Sequence, residues 1–185
     1  MERYEARRRH IGKLLGAAGI SQMIISEAAS IGYFTGTALH SGERMGVLLL
    51  GADGEGLLIV NRLFQMKDSA GVHAVYYEDG RDGIALLASE IKRNVKTGID
   101  KRWPAGFLLR LMEVCRDISF VDGSVYVDAV RAVKDREEQE LMREASRVND
   151  RCMEALIDFL HEGVTEEESA VYIRRLYREE ECEDV

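Results

Sequence analysis

The sequence predicts an α/β fold, in which a mixed sheet flanked by helices is followed by a two-helix segment of an incomplete second domain. Short apolar runs alternate with amphipathic helical periods as far as about residue 122. Two of these runs flank a glycine-rich turn, which is typical of a β-hairpin. From Lys134 onward the chain changes to long helical periods rich in Glu and Arg. The predicted division is residues 1–125 for the first domain and 126–185 for the linker and the start of the second.

Composition and charge exclude several classes of protein. Of the 185 residues, 46% are apolar, which is enough to bury a full hydrophobic core. The formal net charge of −8 would repel nucleic acid and anionic membranes, so neither is an expected partner. No apolar run approaches the roughly 20 residues that cross a bilayer, and the N-terminus is polar where a signal peptide would be apolar. We therefore expect a soluble, cytoplasmic protein.

The first domain is predicted to alternate helices with short strands. Apolar residues at three- and four-residue spacing mark the helices, and short apolar runs bounded by turn residues mark the strands. In chain order the predicted elements are a helix over 4–18, a strand over 21–26, a short helix over 27–33, a hairpin over 45–50 and 57–60, a strand over 72–78, a helix over 82–93, a strand over 96–99, a helix over 104–115 and a strand over 118–121.

The glycine-rich segment at 51–56 allows two interpretations. A phosphate-binding loop needs a strand before it and the N-terminus of a helix after it. Here a second apolar run follows, so the sequence favours a hairpin turn over a nucleotide site.

The C-terminal segment is predicted to form a helical hairpin. The first helix spans residues 134–162 and ends at Gly163, and Thr165 with Glu168 forms a capping box for a second helix that begins at Glu166. Two helices with no sheet of their own must bury their apolar faces against something else. The predicted apolar positions are Leu141, Ala145, Val148, Cys152, Ala155 or Leu156, and Phe159 on the first helix, and Ala170, Ile173 and Leu176 or Tyr177 on the second.

Cysteine and histidine show no metal-binding pattern. Cys115, Cys152 and Cys182 lack CxxC spacing and a neighbouring His, so they are predicted to be three free thiols, at least two of them buried. None of the four histidines has a partner at a spacing typical of metal ligands. The sequence therefore predicts neither a catalytic nor a metal-binding constellation in this chain.

Five stretches of the sequence resemble motifs of the creatinase/prolidase family of pita-bread metallopeptidases and occur in the same order along the chain. This family includes proline-specific aminopeptidases and dipeptidases. The passage over residues 131–145 is the most specific, because it resembles the family's Arg-x-Ile-Lys linker into the catalytic domain. The other four are the turn Gly32-Tyr33-Phe34-Thr35-Gly36, the strand Arg44-Met45-Gly46-Val47-Leu48-Leu49-Leu50, the step Gly98-Ile99-Asp100 and the helix start Glu162-Gly163-Val164-Thr165-Glu166.

The resemblance implies a creatinase-like N-terminal domain followed by the first two helices of the pita-bread fold. In complete members two Asp, one His and two Glu bind two divalent metal ions, Mn²⁺ or Co²⁺, and all five lie C-terminal to this helix pair. The resemblance therefore implies no metal ligand in this chain. It also implies a homodimer and a proline-containing peptide as the substrate of the intact protein, with creatine as an open alternative.

Three residues are candidates for contact with substrate. Loops of the N-terminal domain approach the active site in this family, sometimes that of the neighbouring subunit, so the resemblance implies such a role for His40 and Arg44 in the polar loop 40–44. Tyr33 is a third candidate. The alternatives are that His40 is simply solvated and that Tyr33 and Phe34 pack in the core, which is the favoured interpretation for that aromatic pair.

Two hypotheses about function follow. In the first, the chain is the non-catalytic N-terminal portion of a metal-dependent Xaa-Pro peptidase, where it shapes the substrate pocket and mediates dimerisation. In the second, it is a stand-alone binding or scaffold domain of the same fold without peptidase chemistry. The first hypothesis predicts uncovered apolar faces on the last two helices, with Phe159, Ile173 and Leu176 as the residues to inspect.

Overall fold

The computed structural model describes residues 2–64 and 70–182 of the chain. Its contacts divide the chain into two units, Met1–Val133 and Lys134–Val185. No helix in the described part is both long enough and apolar enough to span a lipid bilayer.

The first unit is a mixed sheet with helices on both faces. Within the described residues the sheet has six strands in the order β4-β3-β2-β1-β5-β6. Strand β2 runs antiparallel to β1 and β3, and the remaining neighbours are parallel. This architecture confirms the predicted fold class. The elements are α1 Glu2–Ala17, β1 Gln22–Ile25, α2 Ala28–Thr35, β2 Val47–Gly51, β3 Gly56–Asn61, β4 His73–Tyr77, α3 Gly83–Glu90, β5 Lys96–Ile99, α4 Ala105–Val114, β6 Ser119–Asp122 and α5 Ser124–Ala132.

The sheet separates two hydrophobic clusters, because successive side chains of a strand point to opposite faces. Leu48 and Leu50 of β2 lie in the cluster that contains residues of α1, α2 and α5. Val47 and Leu49 of the same strand lie in the cluster that contains residues of α3 and α4. A central strand that is buried on both faces has a continuous run of apolar residues. This run is the signal from which β2 was predicted.

Helix α5 was not predicted from the sequence. Its N-cap is Gly123, which has no side chain to cap the helix. Only two of its apolar side chains, Val127 and Val130, are buried. Both pack in the cluster of α1 and α2, so this helix belongs to the first unit. The division predicted after residue 125 falls inside α5, whereas the contacts divide the chain after Val133.

Helix α1 crosses the turn between β2 and β3 at very short range. A Cβ on Gly12 would lie 2.7 Å from the carbonyl oxygen of Ala52 and 3.1 Å from the amide nitrogen of Gly54. The turn is a hairpin, since Leu50 of β2 pairs with Gly56 of β3 in an antiparallel register. The predicted hairpin is therefore confirmed, and Gly54 in its turn allows the close approach of α1, since a Cβ there would lie 3.2 Å from Cα of Arg9.

We expect opposite effects from alanine at two glycines of α1. Gly12→Ala should lower the free energy of unfolding by about 1–2 kcal/mol, because the new methyl group must displace backbone atoms of the turn. Gly16→Ala should raise it by about 0.5–1 kcal/mol, because alanine favours the helix and its Cβ would meet only the side chain of Ala52 at 4.0 Å. Urea titrations of both variants measure the difference. An equal gain for both would contradict the close packing at Gly12.

The second unit is a helical hairpin of α6 Arg136–Phe159 and α7 Glu166–Glu179. Each helix begins with a capping box, formed by Asp135 with Glu138 and by Thr165 with Glu168, and the second of these was predicted. The hydrogen bonds that Glu168 accepts from Thr165 lower the pKa of its carboxyl group. Among residues 134–182, Cys152 is the one apolar residue whose side chain is buried.

The prediction of free thiols is confirmed. Cys115, Cys152 and Cys182 form no disulfide, Cys115 and Cys152 are buried, and Cys182 is half-buried.

Candidate functional site

The loop between α2 and β2 brings one predicted site residue, Arg44, into a charged cleft. Its guanidinium donates two hydrogen bonds to Asp79, from Nε to Oδ1 at 2.9 Å and from Nη2 to Oδ2 at 2.7 Å. The buried side chain of Asn61 donates to the same Oδ1 at 2.9 Å. The hydrogen bond from Arg44 is the main reason why the pKa of Asp79 lies below its usual value. Arg44 is therefore held in place by Asp79 after β4, whose carboxylate is fixed in turn by Asn61 at the end of β3.

The cleft has a volume of about 190 Å³. It is lined by residues just before β2, by residues from the end of β4 to the start of α3, and by residues of α4. Three of its side chains carry a guanidinium group: Arg44, Arg81 and Arg110. Arg110 pairs with Asp82 at 2.9 Å. On the cleft wall the hydroxyl of Tyr77 donates to the carbonyl oxygen of Met45 at 2.7 Å, and burial raises the pKa of that hydroxyl.

This arrangement places three guanidinium groups beside one cleft, two of which, those of Arg44 and Arg110, are paired with Asp79 and Asp82. Guanidinium groups are the side chains best suited to carboxylates, because they donate two parallel hydrogen bonds. The residues that line the cleft include no His, Ser or Cys, and its carboxylates are those of Glu43 and Asp82. Arg81 and Arg110 were missed by the sequence reasoning, because only the fold brings their two segments beside Arg44.

The other two predicted site residues lie outside the lining of this cleft. His40 is exposed in the loop, which is anchored by the buried side chain of Leu39. Tyr33 packs edge-on against Phe34, with 5.1 Å between the ring centroids, and the guanidinium carbon of Arg7 lies 4.0 Å from the centre of its ring. The hydroxyl of Tyr33 donates to the carbonyl oxygen of Val130 at 3.2 Å. The three residues therefore do not form one cluster, and their contact with substrate stays a prediction.

A second polar cluster lies at the carboxyl ends of β1, β5 and β6, where open α/β sheets commonly bind ligands. Its centre is the buried carboxylate of Asp100, which accepts hydrogen bonds from the backbone amides of Ser26, Glu27 and Arg102 and from the hydroxyl of Ser26. Four donors occupy both oxygens of this carboxylate. Asp100 therefore fixes the loops at this edge and presents no free charge to a ligand.

The described residues do not fit a two-metal hydrolytic site. Across residues 2–64 and 70–182, no three His, Cys, Asp or Glu side chains converge on a common point as a metal ion requires. Several of the carboxylates on α6 and α7 are used locally. Glu138 and Glu168 close capping boxes, and Glu140 and Glu179 pair with arginines one turn away.

The helical hairpin exposes much of its apolar surface. Phe159 stacks on Tyr172 with 4.1 Å between the ring centroids, and Ile173 and Leu176 are half-buried like Phe159. Beside this pair a shallow hollow of about 550 Å³ is lined mainly by apolar atoms. The large apolar side chains that remain exposed on the two helices and their loop are Leu141, Met142, Met153, Ile157, Leu160 and Val171.

Comparison with known families identifies the first unit. The model of the creatinase/prolidase N-terminal domain matches residues 7–133, which end where the first unit ends. The chain belongs to this family. The resemblance inferred from the five sequence stretches is thereby confirmed, as is the creatinase-like fold of the first unit.

Relatives of the creatinase/prolidase family include longer peptidases. An uncharacterized peptidase of Staphylococcus aureus is 25% identical over 164 residues, which cover 84% of this chain and 44% of that protein. The structure of a dipeptidase from Pyrococcus horikoshii has a TM-score of 0.84 and 28% identity, and the match covers 94% of this chain and 49% of that one. The chain thus spans about half the length of these relatives.

A shorter solved chain resembles the first unit alone. The creatinase/prolidase N-terminal domain of an Xaa-Pro dipeptidase from Streptococcus pyogenes has a TM-score of 0.61 and 18% identity, and the match covers 68% of this chain and 98% of that one. This likeness shows the fold, and it shows that the fold has been solved as a chain of its own.

Proposed function

We propose that this chain is the non-catalytic N-terminal portion of a metal-dependent Xaa-Pro peptidase, where it shapes the substrate pocket and contributes to a homodimer. The observation that carries the proposal is the apolar surface of α6 and α7, in a chain that spans about half of its peptidase relatives. Solved relatives include an Xaa-Pro dipeptidase from Bacillus anthracis, whose 19% identity supports the fold only.

The exposed surface of the hairpin is too apolar for a helix pair that faces water on all sides. Leu141, Ile157 and Val171 are 64%, 63% and 59% exposed. Exposed apolar patches of this kind mark an interaction surface or a fold that continues elsewhere. The proposal assigns this surface to the pita-bread sheet of the catalytic half.

The metal ions of the intact enzyme, two Mn²⁺ or Co²⁺ ions, would be held by residues other than those that the structure describes, because the described donors do not converge. We expect isothermal titration of the chain with Mn²⁺ to show only the weak binding of a generic acidic protein. A tight site of defined stoichiometry would contradict the proposal.

The reading frame beyond the codon for Val185 tests the proposal most directly. We expect it to encode an Asp, Asp, His, Glu, Glu series, and we expect the longer product to hydrolyse Xaa-Pro dipeptides in the presence of Mn²⁺ or Co²⁺. The 185-residue chain, assayed in parallel as the control, should show no hydrolysis. A stop codon directly after Val185 would contradict the proposal.

Arg44 offers a test of the role in the substrate pocket. In the longer product we expect Arg44→Ala to lower kcat/KM about tenfold or more, because a guanidinium that binds a carboxylate contributes a charged hydrogen bond. Its pairing with Asp79 is exposed, so the free energy of unfolding should change by no more than about 1 kcal/mol. Peptidase assays at several substrate concentrations, combined with urea titration, separate the two effects.

Arg62→Ala is the matched control for this substitution. Arg62 follows β3 and forms an exposed ion pair with Glu78 at 3.3 Å, but it does not line the cleft. It should leave kcat/KM unchanged. Equal kcat/KM values for the two variants would show that Arg44 does not contribute to the substrate pocket. The same assay applied to His40→Ala and Tyr33→Phe tests the roles of those residues.

The proposed homodimer is tested by light scattering after size exclusion.

A stand-alone binding or scaffold domain is the second candidate function. The short Streptococcus pyogenes chain, of which the match covers 98%, supports only that the fold of the first unit can exist without a catalytic half. In this case α6 and α7 would bind a separate protein, and the reading frame would end at Val185.

A further inference from the structure

We infer that Cys152 and Cys182 form an oxidisable thiol pair, a modification site that closes a disulfide between α6 and the end of α7 when a small disulfide oxidant is present. The site is independent of peptidase chemistry. It rests on two side-chain contacts that bring the end of α7 against the middle of α6, and on the turn of the chain at the end of α7.

Two side-chain contacts fix the register of the hairpin. The hydroxyl of Tyr177 donates to Oδ1 of Asn149 at 2.6 Å. Arg151 donates to both carboxylate oxygens of Glu180, from Nε to Oε1 at 3.0 Å and from Nη2 to Oε2 at 2.5 Å. Cys152 lies three residues after Asn149 and therefore on the same face of α6, so this register places it opposite the end of α7.

The end of α7 turns Cys182 back toward the helix. The amide of Cys182 donates to the carbonyl oxygen of Tyr177 at 2.9 Å, and the amide of Glu181 donates to that of Arg178 at 3.1 Å. With Glu181 at a left-handed φ of 59°, these two bonds are those of a Schellman motif. In this motif the residue in the position of Cys182 frequently contacts the residue in the position of Tyr177 or the one before it. Tyr177 is the residue that reaches α6.

Cys152 is buried although it lies in a small unit. It is only 2% exposed, while every other apolar side chain described in that unit is more exposed. Burial raises the pKa of its thiol, and the nearby charges of Glu180 and of a Cys182 thiolate raise it further. Cys182 is half-buried and can be reached from solvent. Cys182 is therefore the thiol that reacts first, and Cys152 is the one that resolves the intermediate.

The reaction is a pair of thiol–disulfide exchanges. The Cys182 thiolate attacks one sulfur of the oxidant, forms a mixed disulfide and releases one thiolate. The Cys152 thiolate then attacks the sulfur of Cys182 and releases the second. The two cysteines lose two electrons and two protons, and the oxidant becomes two thiols.

Treatment of the reduced 185-residue chain with 2-hydroxyethyl disulfide tests the inference. We expect the chain to lose two hydrogens in mass and two of its three thiols. Trypsin digestion without reductant should yield residues 152–174 linked to residues 179–185. Trypsin cleavage within α7 should become at least about tenfold slower, because a disulfide that ties the end of α7 to α6 opposes local unfolding.

Three single variants complete the experiment. Cys115→Ser should still lose two hydrogens, since Cys115 lies in the first unit. Cys182→Ser and Cys152→Ser should not, and Cys152→Ser should stop at the mixed disulfide on Cys182. Cys182 is not fully buried, so its replacement tests the inference even if Cys152→Ser does not fold. A stable mixed disulfide in the unaltered chain, a linkage to Cys115 or a disulfide between two chains would overturn the inference.

Discussion

Replacement of Asp100 by alanine is expected to lower the free energy of unfolding by about 3–4 kcal/mol. The carboxylate accepts hydrogen bonds from the amides of Ser26 at 2.5 Å, Glu27 at 3.0 Å and Arg102 at 2.8 Å. Alanine would leave these partly buried donors without an acceptor, and each such group costs about 1–3 kcal/mol. Two of them belong to the start of α2, where Glu27 supplies no side-chain cap. Urea titration followed by circular dichroism measures the loss.

Asp128→Ala is the matched control for this prediction. Asp128 also carries a carboxylate in a hydrogen bond, to Nζ of Lys101 at 2.6 Å, but both side chains are about half exposed. An exposed pair of this kind contributes no more than about 1 kcal/mol. If Asp100→Ala were as mild as Asp128→Ala, the cluster at the carboxyl edge would not stabilise the sheet, and a ligand-binding role for Asp100 would have to be considered again.

Most of the first unit could be predicted because its secondary structure is dictated by local apolar patterns. The strand over 96–99 was predicted with the bounds that the structure gives, and the hairpin of β2 and β3 was predicted from two apolar runs around a glycine-rich turn. Helix α5 carries no such signal. Its N-cap is a glycine, so the amide of Ser124 donates its capping hydrogen bond to Asp122 one residue earlier, and the helix is short, with Val127 and Val130 as its only buried apolar residues. Only packing against α1 and α2 marks it as part of the first unit.

The polar clusters could not be predicted, because they join residues far apart in the chain. Arg44 meets Asp79 across the ends of β2 and β4, and the carboxylate of Asp100 meets amides at the end of β1. The sequence marked Arg44 and Asp100 only through their resemblance to family motifs. Their partners follow from the register and order of the strands, which apolar periodicity alone does not determine.

Phe34→Ala is expected to lower the free energy of unfolding by about 3–5 kcal/mol, the range observed when a fully buried aromatic side chain is removed. Phe34 has no exposed surface and packs among residues of α1, β2 and β3. The surrounding sheet cannot collapse into the space of a phenyl ring, so a cavity would remain. The same urea titration as above, extrapolated to water, gives the value.

Tyr33→Phe is the control that separates core packing from a role in a pocket. Tyr33 adjoins Phe34 but is only half-buried, and its hydroxyl donates to the carbonyl oxygen of Val130 at 3.2 Å. Loss of this hydrogen bond should cost about 1 kcal/mol, while the ring keeps its contacts with Phe34 and Arg7. If Phe34→Ala were no more destabilising than Tyr33→Phe, Phe34 could not be a core residue, and the aromatic pair would have to be reconsidered as the lining of a binding site.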